Sequence, residues 1–169
     1  MKNETNNDSS ANLALGALAG VIGGFALAGA AQTIYSLTSP KKIAQETAIE
    51  PRDPFIVLAE KFEKLTGRHL DESQKKIFEQ CAATALSATA GVSYALLASK
   101  WKLNWLAGGL VFGGLFWAIE DEGLSPVLGL VGDNTKYPLE AHVRGLAAHV
   151  IFGIVTAAFI KAAGTEDDE

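Results

Sequence analysis

Long apolar stretches alternate with polar connections along this chain. The first, Leu13 to Tyr35, runs 23 residues without a charge. At ~1.5 Å per residue a helix of that length crosses a bilayer core of ~30 Å. Ile77–Ser99, Leu103–Ile119 and Ala141–Ala163 repeat the pattern. The pattern predicts an all-α integral membrane four-helix bundle, with spans at about 13–35, 77–99, 103–119 and 141–163. A polar tail, residues 1–10, precedes the membrane domain of residues 11–163, and the acidic residues 164–169 follow it. Ser9 or Ser10 is placed to cap the first span.

Small residues recur every fourth position inside these stretches. Gly16, Gly20, Gly24 and Ala28 form one row, and Ala83, Ser87, Gly91 and Ala95 a second. Gly109 and Gly113, and Gly145 and Gly153 about His149, repeat the spacing. Such glycine-zipper rows let membrane helices approach closely and gain dispersion contact. They serve packing within the chain, or self-association into a homo-oligomer or a pore lining. Ala28-Gly29-Ala30 has the form of a signal-peptidase site, but Glu4 and Asp8 offset Lys2 in the leading segment. A signal peptide needs a clearly positive leader, so an uncleaved span is expected.

The connection 37–76 is charged. Pro40 ends the first helical region. Phe55, Leu58, Phe62 and Leu65 then fall on one face of a short helix that starts at Pro54 and stops at Gly67. This amphipathic helix is too short to span and is expected at the membrane surface or over the bundle end. Asp71 and Gln74 form a capping-box pair ahead of the second span. Lys100, Trp101, Lys102 and Trp105 read as one membrane interface and Trp117 as the other. Cys81 reads as a small packing residue, and His69 as solvated.

Composition narrows the functions. Net charge is −5, which argues against a nucleic-acid partner. One cysteine excludes an intrachain disulfide and a cysteine-based zinc site. No serine is placed beside a histidine and a carboxylate, so no catalytic residue is assigned and the protein is not expected to be an enzyme. His142 and His149 are seven apart, too far for the usual adjacent-turn metal pair, so no metal ligand and no cofactor is assigned. His149 lies eight positions beyond Ala141, ~12 Å along the helix and towards mid-bilayer. An ionisable residue there should face the protein interior or a wet cavity. Antiparallel pairing of the third and fourth spans places Glu120 beside His142 and sets His149 near Gly113, where glycine leaves room for an imidazole. Glu120, His142 and His149 are therefore the candidate polar path.

Ten Lys/Arg, counting Arg144, lie on the side holding 36–76 and 120–140, against four on the other. The positive-inside rule then puts the long connection in the cytoplasm and both termini outside. The expected function is a structural or interaction protein of the bacterial inner membrane, in contact with the lipid bilayer and with protein partners not specified by the sequence. The alternative is a small transporter or channel component using the Glu/His path.

The segments GALAGVIGGF, KLNWLAGGLVFGG and SPVLGL, with Glu140, Gly145 and His149 in the last span, resemble the YagU-type bacterial inner-membrane proteins. The resemblance implies inner-membrane residence and a role in envelope or acid-stress physiology. It implies no catalytic residues.

Overall fold

A computed structural model describes residues 4–101 and 103–164, with side chains from residue 12 onward except that of Lys102. Lys102 and the acidic end beyond Gly164 lie outside the described residues. Among those described there is helix and turn but no strand. Helix α1 covers Glu4–Ser36, α2 Pro40–Ile49, α3 Pro54–Thr66, α4 Glu72–Ala98 and α5 Trp105–Ile119. A π-helical turn, Glu120–Leu124, leads into the single turn α6, Ser125–Val127, and α7 runs over Leu139–Gly164.

Local chemistry accounts for most boundaries. Asp53 accepts the Phe55 N–H at 2.8 Å ahead of Pro54, and Gly67 closes α3 in the left-handed region at φ 69°. Asp71 and Gln74 form the expected capping box on α4. Asn104 accepts the Ala107 N–H at 2.9 Å and starts α5. Two boundaries differ from expectation. Helix α1 begins at Glu4, so Ser9 and Ser10 lie inside it and neither is its cap. Pro40 opens a helix instead of only ending one, because the first turn has no use for the missing N–H.

Helix α1 lies between α4 and α7, and α5 packs on α7, giving the spatial order α4–α1–α7–α5. The glycine rows make both principal seams. A Cβ on Gly20 would fall 2.1 Å from the Ser87 carbonyl oxygen and 2.8 Å from Gly91 Cα. One on Gly16 would meet Ala95 and the Gly91 oxygen, and one on Gly24 the Ser87 side chain. On the other seam, Gly109 abuts the Gly153 oxygen and Gly113 the His149 oxygen, at 2.7 and 2.3 Å from their notional Cβ atoms. Every one of these contacts is made within the chain. The stripe offered as a self-association face, Gly16, Gly20 and Gly24, is covered by α4. Gly113 admits the α7 backbone and not the imidazole of His149.

Aromatic residues fill the space where the four long helices converge. Tyr94, Phe112 and Phe152 are buried, with Phe116 packed beside them. Tyr94 meets Phe112 edge-on at 5.2 Å, and Phe116 lies 5.1 Å from Phe152. Helices α4 and α5, consecutive in sequence, touch mainly here, since α4 is committed to α1.

The outer surface is apolar. Phe25 is 74 % exposed, and Leu18, Leu96, Leu115, Ile119 and Val143 are also exposed. Small residues inside and large apolar residues outside is the arrangement that lipid solvation favours. Three helices are long and apolar enough to cross a membrane: Asn12–Ser36, Glu72–Ala98 and Leu139–Gly164. Helix α5, at 15 residues, reaches ~22 Å. Cys81 is exposed, so it is not a packing residue. In α3 the buried positions are Val57 and Ala59, whereas Leu65 on the expected apolar face is 86 % exposed. Phe62 instead anchors α3 to α4 through Phe78, with ring centres 5.4 Å apart.

Candidate functional site

The last turn of α5 and the first half of α7 create a polar site. Arg144 and Lys161 mark the two ends of α7, each over an aromatic ring: Arg144 lies 5.2 Å from the Tyr35 centroid and Lys161 5.5 Å from that of Trp105. Their 17-residue separation is ~25 Å of helix. His149 is five residues beyond Arg144, ~7.5 Å along the helix.

The side chain of His149 is only 6 % exposed. Its Nδ1 lies 2.9 Å from the Gly145 carbonyl oxygen. A carbonyl can only accept, so Nδ1 carries the proton and Nε2 is left to face the rest of the site. Glu120 Oε2 stands 3.4 Å from Nε2, and Asp121 Oδ2 3.6 Å from Nδ1. Glu120 also accepts from the Ser125 hydroxyl at 3.2 Å. The π-helical turn brings two consecutive acids to one histidine. Its bond from the Ser125 N–H to the Glu120 oxygen widens the backbone where an α-helix would direct the two side chains about 100° apart.

A second histidine–carboxylate pair lies one level outward. His142 Nδ1 donates to Glu122 Oε1 at 2.6 Å, and Asn134 donates to Glu122 Oε2 at 3.1 Å. Of the three residues singled out from the sequence, Glu120 and His149 meet each other, while His142 meets Glu122. Asp121 and Glu122 escaped the sequence reading. Adjacent acids after an apolar span look like a solvated cap, and only the π-turn directs them inward. Trp117, read as an interface residue, instead has its Nε1 buried, with no hydrogen-bond partner among the described residues. A Cβ on Gly145 would be 2.7 Å from Asp121 Oδ2 and 3.1 Å from Trp117 Nε1, so Gly145 makes space for both.

The site opens to one side through a cavity of about 560 Å³, bordered by Tyr35, Glu46, Arg52, Asp121, His142 and Arg144. The basic residues at its wall are already engaged. Arg144 forms a two-pronged pair with Glu46, one contact at 3.2 Å, and Arg52 binds Glu50 and Glu60 at 2.8 and 2.7 Å. Lys42 pairs with Glu140 nearby. Among the described residues, neither Glu120 nor Asp121 pairs with a lysine or arginine; His149 is their cationic partner when protonated. On the inner side Phe116 meets the His149 ring edge-on at 5.2 Å and leads into the aromatic core. The cluster is open to the cavity on one side and closed by aromatic side chains on the other.

No family model, curated protein or solved structure matches this chain.

Proposed function

We propose that this is a four-span protein of the bacterial inner membrane that takes protons or a small cation from one aqueous face to the site at His149. The observation that carries the reading is the convergence of half-buried Glu120 and Asp121 on the buried His149, beside a polar cavity in a bundle of long apolar helices. Ionisable groups placed so deep are costly and are retained for pathways or relays. His142 with Glu122, then Asp121, then His149 with Glu120 form steps from the cavity inward. The aromatic closure suits a transporter component with a one-sided site better than an open pore.

The fourth span in this reading is α5 together with the π-turn and α6. Trp105 to Val127 is a continuous helical run that supplies ~34 Å, and Leu124 and Val127 on its extension are exposed apolar residues. Both termini lie outside and the connection holding α2 and α3 is cytoplasmic, by the distribution of lysine and arginine. A purely structural role is the second reading. It is weakened because α4 already covers the Gly16–Gly24 stripe. The chemistry described is binding and transfer.

The test is flux in proteoliposomes containing a pH-reporting dye, under an imposed gradient. The wild type is expected to dissipate the gradient, and His149→Ala and Glu120→Gln to lose most of that flux while keeping the wild-type melting temperature. A folded wild type with no flux above protein-free vesicles would remove the transport reading. Equal flux in His149→Ala would remove the histidine from the route.

A further inference from the structure

Glu120, Asp121 and His149 each present a ligand atom within 4.8 Å of the other two. We propose that this cluster is a divalent transition-metal site, with His149 Nε2, one oxygen of Glu120 and one of Asp121 as its protein ligands. The inference rests on the reading of the cluster as a cation-handling site and names the cation class.

Two observations beyond the acidic residues point to a metal. The first is the orientation of His149. Its ring is buried and its Nδ1–H is tied to the Gly145 carbonyl, so the neutral ring aims an Nε2 lone pair at Glu120 Oε2. This is how a metal-ligating histidine is held: one nitrogen donates to a backbone carbonyl and the other is the ligand. A lone pair and a carboxylate oxygen facing each other repel unless a proton or a metal cation lies between them, and the separation bears on which of the two it is. The second is the distance. Tetrahedral bonds of ~2.0–2.1 Å place neighbouring ligand atoms about 3.4 Å apart. Nε2 and Oε2 are 3.4 Å apart, longer than a normal hydrogen bond and of the right length for an ion bridging them.

The donor set indicates the metal. One imidazole and two carboxylates suit Zn²⁺, Fe²⁺ or Mn²⁺, and the absence of thiolate from the set disfavours Cu⁺. Two carboxylates also neutralise a divalent charge, which favours the ion in a surrounding of low dielectric. Asp121 borders the cavity, so water can complete the coordination and the ion can be reached through that cavity. His142 is engaged with Glu122 one level outward and is not a ligand.

The test uses the full chain, purified in mild detergent, stripped with a chelator and titrated with Co²⁺, whose visible absorption reports nitrogen and oxygen ligation. Zn²⁺ displacement serves as a second readout. The expected result is one equivalent bound. His149→Ala, Glu120→Gln and Asp121→Asn should each weaken binding at least tenfold, and His69→Ala, at the exposed histidine beside Glu63, should stay within twofold. Asp121→Asn is nearly isosteric, so a preserved melting temperature separates lost ligation from misfolding. No stoichiometric Co²⁺ in the folded wild type, or equal binding by all three ligand variants, would overturn the proposal. Absent binding with flux intact removes the metal site and leaves the proton route. Binding without flux keeps the site and removes the route.

Discussion

Gly20→Ala isolates the α1–α4 seam. The added Cβ would lie 2.1 Å from the Ser87 carbonyl oxygen and 2.8 Å from both Gly91 Cα and N. These are backbone atoms, so no rotamer change relieves the contact. Reaching an ordinary separation of about 3.4 Å requires the helices to part by about 1.3 Å at that level, if all the relief comes from separation. A gap of 0.5–1 Å already forfeits a quarter to a half of each pair's dispersion energy, ~0.1–0.2 kcal/mol at best. With on the order of 20–30 atom pairs in the affected turns, the loss is about 1–3 kcal/mol, the usual range for overpacking. Alanine returns up to ~1 kcal/mol in helix propensity. Gly29→Ala is the control, because nothing lies within 4 Å of its notional Cβ and only the propensity gain applies. Thermal unfolding in detergent, followed by tryptophan fluorescence, should place Gly20→Ala below both the wild type and Gly29→Ala. Light scattering should show the same mass for all three. Equal stability of the two variants would refute the seam. A fall in mass with unchanged melting would return the stripe to intermolecular assembly.

Four further predictions follow from particular contacts. Arg144→Ala leaves Glu46, itself 8 % exposed, without its partner, and should cost about 3 kcal/mol in an unfolding assay, with Glu46→Gln in the same chain recovering part of it. Gly145→Ala presses on Asp121 and Trp117 side chains that can move, so flux should fall more than stability; an unchanged rate would show that Asp121 is not on the route. Glu63 accepts the Leu70 N–H at 2.6 Å and faces Lys75, which hold its carboxyl below the ordinary carboxylate range. Its contribution to stability is therefore full above the unfolded value of about 4.5 and is lost as pH falls through the lower folded value; Glu63→Gln should flatten that acid limb of the melting curve. With Cys81 replaced, a single cysteine introduced at Thr47 should react with a membrane-impermeant maleimide only after the cells are opened, whereas labelling of intact cells would reverse the assigned orientation.

The elements legible in the sequence are those that local physics decides. A long apolar segment in lipid must satisfy its own backbone hydrogen bonds, so Leu13–Tyr35 and Ala141–Ala163 read as helices from composition and length alone. Caps are equally local: Asp53 before Pro54, and Asp71 with Gln74, act within three residues. The small-residue rows announced close packing, but not against what. Partner choice depends on complementary surfaces distant in the chain, and here Gly20 found Gly91 and Gly109 found Gly153. For the same reason α4 joined α1 in preference to its neighbour α5.

The candidate site was half legible. His149 stood out as an ionisable residue within an apolar span, and antiparallel register led to Glu120. Asp121 and Glu122 were hidden because their direction depends on one π-helical turn, which no residue pattern at Glu120–Leu124 announces. The sequence alone determined that the chain forms long lipid-compatible helices with a histidine buried among small residues. Only the tertiary structure decided which carboxylates reach that histidine and from which side water reaches them, because both depend on where a widened turn and the α1–α7 packing leave space.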